Sequence, residues 1–211
     1  LRMHRSDTLA GIVLVDQSPR MLTGPDWDLG LYGEFSPADN LAFEWQMRRD
    51  AAEAYLRLLA CGFNALARAE YDANTPAMRR RRQLLRSVPG APWLALWKSL
   101  AHKDYRDDIA AVTVPLLVVL GGASNLYDAT RLGRWFEDHV PYAEVLRYDG
   151  ADHAPHLTMP ARFARDVAAF AARCTSGFPF AFEPMRLADI DAVLRSPRFR
   201  SAYGDRLGLT A

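Results

Sequence analysis

The sequence predicts an α/β fold in which a small parallel sheet is interrupted by a long helical insertion. Three short apolar runs, at residues 11–15, 116–120 and 143–148, have the length and composition of buried strands. Helical patterns separate these runs, and the order of strand, helix and strand favours right-handed parallel crossovers. We therefore expect three parallel strands with helices packed against them.

The composition is that of an ordinary globular domain. The 211 residues are 50% hydrophobic and 24% charged, with a formal net charge of +1, so the balance of charge indicates no nucleic-acid partner. No apolar run approaches the ~20 residues of a membrane span, and no signal peptide is visible, so we expect a cytoplasmic protein. Cys61 and Cys174 lack metal-site spacing and are predicted to be reduced, buried thiols. No pattern indicates a metal or an organic cofactor.

The first strand ends in a carboxylate. Residues 12–15 read Ile-Val-Leu-Val, and Asp16 follows directly. Open α/β sheets build their sites at the carboxyl ends of their strands, which makes Asp16 a candidate site residue. The alternative is that its side chain only accepts hydrogen bonds from nearby backbone amides and shapes the loop.

The segment from about residue 36 to residue 103 predicts a helical insertion. Ser36 is suited to an N-cap, Pro37 to the first helical position and Asp39 to the first turn. Apolar residues then recur at helical spacing, with a break expected near Gly62. The arginines at 79–82 and 86 form a basic cluster, which we interpret as a solvated helix face rather than a nucleic-acid site.

The third strand leads into a histidine. The loop reads Gly150-Ala-Asp-His153 and is followed by a helical pattern at residues 161–172. A histidine at this edge of the sheet can exchange a proton near neutral pH, as a general base must. The alternative is a surface histidine in a turn, since glycine and aspartate favour turns.

Together these motifs resemble the C-terminal half of an α/β-hydrolase. The shared pattern is a strand followed by Asp-Gln-Ser-Pro, a helical insertion, Asp-x-Arg-x-x-Ile-x-x-Val-x-Val-Pro before an apolar strand, Gly-Gly, and finally Gly-x-x-His. The resemblance implies that the three strands correspond to strands six, seven and eight of that fold. Residues 1–18 and 104–174 would form the core, residues 19–103 a helical cap, and residues 175–211 a C-terminal extension.

The resemblance also implies a Ser–His–Asp hydrolase for an ester or a similar small substrate, with His153 as the general base. The family commonly places its acid after strand seven, where this chain has Ser124. Some members carry the acid after strand six, where Asp16 lies. We expect Asp16 to be the acid and retain Asp128 as the second candidate, whereas Asp152 is expected to point elsewhere.

The nucleophile motif of the family, Gly-x-Ser-x-Gly, does not occur in the sequence. Ser18 and Ser124 are predicted to lie near the site, but neither belongs to a glycine-flanked elbow between a strand and a helix. We expect the nucleophile in sequence upstream of Leu1, because residues 1–9 resemble the end of the helix that follows such an elbow. The alternative is a truncated, non-catalytic remnant that binds a ligand or partner through its cap.

The sequence gives two indications of what the protein contacts. The strand at residues 11–15 would have one unpaired edge, and an exposed apolar edge favours association between copies of the chain. The tryptophans of the cap, at positions 27, 45, 93 and 97, indicate either a hydrophobic acyl or ring group in the substrate or simple packing. We expect a small-molecule substrate and neither a nucleic acid nor a membrane as partner.

Overall fold

The computed structural model of the chain describes residues 9–175. The chain divides into two compact units, Leu1–Val167 and Ala168–Ala211. Of the second unit only residues 168–175 are described, and they form the end of a helix. The helix end predicted before the first strand, and nearly all of the predicted C-terminal extension, lie outside the described residues.

The sheet has three parallel strands, as predicted. Strand β1 (Ile12–Val15), β2 (Leu116–Gly121) and β3 (Ala143–Tyr148) lie in the order β1-β2-β3, with Val13 opposite Leu117 and Val118 opposite Val145. The strand ends differ from the predicted ones by a single residue at the start of β1 and at the end of β2. In this order the carboxyl ends of all three strands meet at one edge of the sheet.

The predicted insertion is helical. The helices that it contains are α1 (Pro37–Arg49), α2 (Ala51–Ala60), α3 (Ala65–Ala73), α4 (Pro76–Arg86) and α5 (Gly90–Ala101). The predicted start of α1 is confirmed, because the Ser36 hydroxyl accepts a hydrogen bond from the Asp39 amide while the Asp39 carboxylate accepts one from the Ser36 amide. This capping box satisfies two amide groups that the helix itself leaves without partners.

Helices after the insertion complete the α/β alternation. They are α6 (Arg106–Ala110), α7 (Ala129–His139), α8 (Pro155–Thr158) and α9 (Pro160–Thr175). Strand β2 is fully buried along its whole length, and Leu116, Val118 and Leu120 share a hydrophobic core with Leu132 and Phe136 of α7. Burying an apolar side chain of this size stabilises the fold by about 1.5–3 kcal/mol. The core therefore fixes the central strand, whose carboxyl end enters the candidate site.

The two ends of the helical insertion lie side by side. The Tyr105 amide donates a hydrogen bond to the Pro19 carbonyl at 2.9 Å, and Arg20 pairs with Asp104 in an antiparallel bridge. Asp26 adds an ion pair to the Arg106 guanidinium at 2.7 Å. The chain therefore leaves the sheet and returns to it at one place, so that the insertion does not separate β1 from β2.

Three expectations about surfaces and thiols have different outcomes. Cys61 and Cys174 form no disulfide, but both are half-buried, so the prediction of buried thiols was wrong. Within residues 9–175 no helix combines the length and the apolar character needed to cross a membrane. Strand β1 pairs with β2 alone among the described strands, and association of copies through its other edge stays a prediction.

Candidate active site

Asp16 lies where β1 ends and the chain turns away from the sheet. Its amide still donates to the Val119 carbonyl of β2, at 2.7 Å. Its φ of 45° lies in the left-handed region, which aspartate tolerates better than most residues with a side chain. The side chain is fully buried. This turn places a carboxylate within the carboxyl edge of the sheet rather than on the surface.

The Asp16 carboxylate contacts three groups, which come from the last residue of β2 and from the loops after β2 and β3. Oδ1 accepts from the Gly121 amide at 2.8 Å, while Oδ2 accepts from the Ser124 hydroxyl at 2.6 Å and contacts His153 Nδ1 at 2.8 Å. A buried carboxylate requires such partners, because an unsatisfied buried acceptor costs about 1–3 kcal/mol or more. The side chain therefore bonds a backbone amide and also contacts the histidine, and its role as the acid stays a prediction.

The contact with Asp16 favours one tautomer of His153. A carboxylate oxygen facing Nδ1 favours a proton on that nitrogen, and in the neutral imidazole of that tautomer Nε2 has the lone pair. The His153 side chain is 33% exposed, and Nε2 forms no hydrogen bond with any residue that the structure describes. A basic nitrogen is thus left open to a substrate or a hydroxyl group.

The loop that carries His153 is held by the residue before it. Asp152 Oδ1 accepts from the His153 amide and from the Asn125 amide, both at 2.7 Å. Gly121 lets this loop approach β2, since a Cβ atom at that position would lie 2.4 Å from the Asp152 carbonyl oxygen and 2.7 Å from that of Ala151. Only glycine permits this approach without displacement of the backbone.

The other carboxylates considered for the acid lie elsewhere. Asp128 caps α7 by accepting from the Thr130 and Arg131 amides, each at 3.0 Å. Asp152 points toward the Asn125 amide and its own loop, as expected. Of the predicted acids, the structure brings Asp16 to the histidine. Within residues 9–175 no three His, Cys, Asp or Glu side chains are grouped so that they could hold a metal ion.

The serines of residues 9–175 all donate their hydroxyl protons to groups other than His153. The acceptors are the Arg20 carbonyl for Ser18, the Asp39 carboxylate for Ser36, the Leu84 carbonyl for Ser87, the Leu96 carbonyl for Ser99 and the Asp16 carboxylate for Ser124. Ser18 and Ser124, the two that the sequence placed near the site, are also buried. Neither hydroxyl is arranged to give its proton to Nε2.

Sequence reasoning did not identify Tyr127 and Gln17 as neighbours of the site. The Tyr127 ring centre lies 6.2 Å from that of His153, and its hydroxyl accepts from the Gln17 side chain at 3.1 Å. Burial raises the pKa of Tyr127, and the nearby charge of Asp16 raises it further. Tyr127 therefore stays protonated and forms an apolar wall beside the imidazole. No sequence motif marks this role.

A clamp centred on Asn125 joins the helical insertion to the loop after β2. Its Oδ1 accepts from the Asn64 amide at 2.7 Å and its carbonyl accepts from the Phe63 amide at 3.0 Å. Its side-chain amide donates to the Leu59 carbonyl. Gly62 is required here, because a Cβ atom would lie 1.8 Å from the Asn125 carbonyl oxygen. The junction of α2 and α3 is thus fixed against the loop that supplies Ser124.

The tryptophans of the insertion are explained by separate packing contacts. Trp27 lies edge-on to Trp135 with ring centres 5.3 Å apart, and the Trp97 indole donates to the Asn40 side chain at 2.7 Å. Trp93 packs beside Tyr55, while Trp45 is exposed beneath the Arg49 guanidinium. Nearer the site, a cleft of about 480 Å³ is lined by Phe63, Asn64 and Leu66 of the insertion and by Ser124, Tyr127 and Thr130.

Comparisons with known proteins agree with this architecture. No family model matches the chain. A pimeloyl-[acyl-carrier protein] methyl ester esterase from Vibrio cholerae is 28% identical over 176 residues, which are 82% of this chain and 65% of that protein. An esterase of the same name from Nitrosomonas europaea is 24% identical over 165 residues, 77% of this chain and 62% of that protein. The chain thus spans somewhat less than two thirds of the length of these relatives.

Solved structures with the same fold include a bromoperoxidase from Bacillus anthracis, with a TM-score of 0.60, 16% identity and coverage of 76% of this chain and 57% of that one. An enol-lactonase from Burkholderia xenovorans LB400 has a TM-score of 0.59 and 16% identity, and the match covers 80% of this chain and 58% of the lactonase chain. The esterase EaEST from Exiguobacterium antarcticum has a TM-score of 0.58 and 11% identity, and the match covers 76% of this chain and 56% of the esterase chain. With its three-stranded parallel sheet and helical insertion, the chain has part of the α/β-hydrolase fold that these solved structures share.

Proposed function

We propose that this chain supplies the acid and the base of an ester hydrolase, with His153 as general base and Asp16 as the residue that orients it. The observation that carries the proposal is the 2.8 Å contact between His153 Nδ1 and Asp16 Oδ2 at the carboxyl edge of the sheet. This contact supports a tautomer with the proton on Nδ1 and Nε2 open, which is the arrangement that a base acting on a hydroxyl group requires.

The proposed reaction proceeds in two steps. Nε2 of His153 takes the proton of a serine hydroxyl as its oxygen attacks the ester carbonyl, and the imidazolium then returns that proton to the departing alcohol. A water molecule then gives a proton to the same nitrogen as its oxygen attacks the acyl-serine carbonyl, and the imidazolium returns that proton to the serine oxygen as the bond to the acyl group breaks and the acid is released. Asp16 stays ionised throughout and stabilises the imidazolium that forms in each step.

We further propose that the nucleophilic serine is not among these 211 residues. The sequence contains no Gly-x-Ser-x-Gly motif, and each serine of residues 9–175 donates its proton away from His153. The gene provides a direct test. A continuous reading frame that encodes Gly-x-Ser-x-Gly shortly before the codon for Leu1 would support the proposal. A stop codon or an unrelated frame there would contradict it.

The proposed substrate class is a methyl ester of an acyl chain. The support comes from the curated relatives, which are pimeloyl-[acyl-carrier protein] methyl ester esterases by name. The cleft beside Tyr127 has a volume of about 480 Å³, within the range of pockets that bind small molecules. We propose that this cleft receives the acyl chain, with Phe63 and Leu66 supplying its apolar side.

The activity is tested by ester turnover of the polypeptide as its source cell produces it. We expect His153→Ala to lower kcat/KM for acyl methyl esters by about 10²–10⁴-fold, as removal of a general base does. The matched control is His156→Ala, since this histidine is exposed on the neighbouring helix α8. Equal turnover by the His153→Ala variant and the parent protein would contradict the proposal.

The second candidate function is a non-catalytic remnant that binds a ligand or partner through its helical insertion. The observation that favours it is the engagement of every serine hydroxyl within residues 9–175. A fluorophosphonate probe that reacts with activated serines separates the cases when it is applied to the polypeptide as its source cell produces it: labelling at a serine outside these 211 residues supports the hydrolase, and no labelling of that polypeptide supports the remnant. We expect no labelling of the 211-residue chain. Labelling of Ser18 or Ser124 would place the nucleophile inside the chain and contradict both the external serine and the remnant.

A further inference from the structure

We infer that Ser124 is a positioning residue, which holds the Asp16 carboxylate so that one lone pair of Oδ2 faces His153 Nδ1. The inference rests on the proposed function, because it assigns a role to Ser124 within the acid–base pair. It is carried by the 2.6 Å hydrogen bond from the Ser124 hydroxyl to Oδ2, the same oxygen that contacts the histidine at 2.8 Å.

Neighbouring backbone amides direct the hydroxyl proton of Ser124 toward Asp16. A hydroxyl has one proton to donate and two lone pairs that accept. The amides of Leu126 and Tyr127 donate to Ser124 Oγ at 3.2 Å and 3.3 Å and occupy both lone pairs. The proton is left for Asp16. Because Ser124 is only 5% exposed, solvent does not compete for either partner.

The Asp16 carboxylate is in turn fixed at both oxygens. The Gly121 amide holds Oδ1 and the Ser124 hydroxyl occupies one side of Oδ2. Rotation about the Cβ–Cγ bond would break both hydrogen bonds, and bonds to an ionised oxygen are among the stronger ones in proteins. The remaining lone pair of Oδ2 is the one that meets Nδ1. Without Ser124, the Gly121 amide would be the one remaining partner besides His153 that holds the carboxylate against rotation.

The loop that presents Ser124 is itself anchored. The next residue, Asn125, is 1% exposed and bonds the insertion through the Asn64 and Phe63 amides, while its own amide donates to Asp152. The position of the Ser124 hydroxyl is therefore set by contacts on both sides of the site. A hydroxyl on an unanchored loop would not orient a carboxylate.

The experiment follows the Nδ1 proton of His153 by NMR in the polypeptide as its source cell produces it. In the parent protein we expect a downfield Nδ1–H resonance that exchanges slowly with solvent. In Ser124→Ala we expect this proton to exchange about tenfold faster, because the carboxylate loses a charge-assisted partner. Ser18→Ala is the matched control, since Ser18 is also buried in a neighbouring loop but its hydroxyl bonds only the Arg20 backbone.

The outcomes separate this inference from the proposed function. Absence of the resonance in the parent protein would overturn the acid–base pair itself. A parent resonance that Ser124→Ala leaves unchanged, or that Ser18→Ala alters equally, would overturn the role of Ser124 alone. Should the alanine variant fail to fold, Ser124→Cys keeps a similar volume with a weaker donor, and the inference requires faster exchange there as well.

Discussion

Asp16 Oδ2 and His153 Nδ1 lie 2.8 Å apart although 137 positions separate the two residues in the sequence. The contact exists because β1 and β3 flank β2 in a parallel sheet, so the loops after all three strands meet at one edge. The central strand β2 and the loop after it also contribute to this contact, since the Gly121 amide and the Ser124 hydroxyl bind the Asp16 carboxylate. The pair is thus a consequence of strand order.

Replacement of each candidate acid in turn should show whether Asp16 or Asp128 orients His153. Asp16→Asn keeps the shape of the side chain but offers an amide to Nδ1, which favours the wrong imidazole tautomer. We expect ester turnover by the polypeptide as its source cell produces it to fall by about 10⁴-fold, as in other enzymes with this arrangement. Asp128→Asn is the matched control and should leave turnover nearly unchanged, because Asp128 caps α7. A larger loss from Asp128→Asn would reassign the acid.

The close approach of the Ala151–Asp152 backbone to Gly121 leads to a second prediction. In Gly121→Ala the new methyl group would meet the Ala151 and Asp152 carbonyls, so the loop bearing His153 must move. We expect a loss of about 1–3 kcal/mol in the free energy of unfolding, measured by denaturant titration, together with lower ester turnover. Gly24→Ala is the control, since its nearest neighbour is the flexible end of Arg20 at 3.2 Å. Equal stability of both variants would contradict the packing described.

The Asn125 clamp should be measurable without any substrate. Asn125→Ala leaves the Asn64 amide and the Leu59 carbonyl without their present partners, and each unsatisfied buried group costs about 1–3 kcal/mol. We expect hydrogen exchange at the Asn64 amide to become faster while amides in the middle of α7 keep their protection. Unchanged exchange at Asn64 would show that the insertion is held by other contacts.

Acid should loosen the contact between α2 and α4. The Arg82 guanidinium holds the pKa of Glu53 below its ordinary value of 4.5, and Arg86 lowers the pKa of Asp50 from 3.8. A carboxylate whose pKa is lower in the folded state stabilises the fold above its unfolded pKa, and this stability is lost as the pH falls through the folded pKa.

This dependence is tested by melting temperature against pH. We expect the parent protein to lose stability progressively as the pH falls below the ordinary pKa of Glu53, and Glu53→Gln to show a shallower decline over the same range. Glu70→Gln serves as the control, because Glu70 is exposed on α3 and has no hydrogen-bond or ion-pair partner among the described contacts. Identical curves for the Glu53→Gln variant and the parent protein would mean that this ion pair contributes little.

Much of the fold could be predicted because its signals are local. The apolar runs of β1, β2 and β3 and the capping box at Ser36 depend on residues that are close in sequence. The meeting of Asp16 and His153 also followed from a general rule, since both lie at carboxyl ends of parallel strands.

The supporting contacts could not be predicted, because they depend on distances between segments far apart in sequence. Ser124 donates to a carboxylate 108 positions away, and Asn125 bonds residues that are 61 and 66 positions away. Polar residues in a loop carry no periodic pattern that indicates their partners. The prediction that Cys61 is buried was wrong for a different reason. Helix α2 ends at Ala60, so the cysteine follows the helix rather than lying in its buried face.

The tautomer of His153, determined by ¹⁵N NMR of histidine-labelled protein at mildly alkaline pH, decides whether Asp16 orients this histidine. We expect a proton on Nδ1 and a bare Nε2 in the parent chain, and a proton that moves to Nε2 in Asp16→Asn. A parent chain with the proton already on Nε2, unaffected by Asp16→Asn, would contradict the assignment of His153 and Asp16 as an acid–base pair.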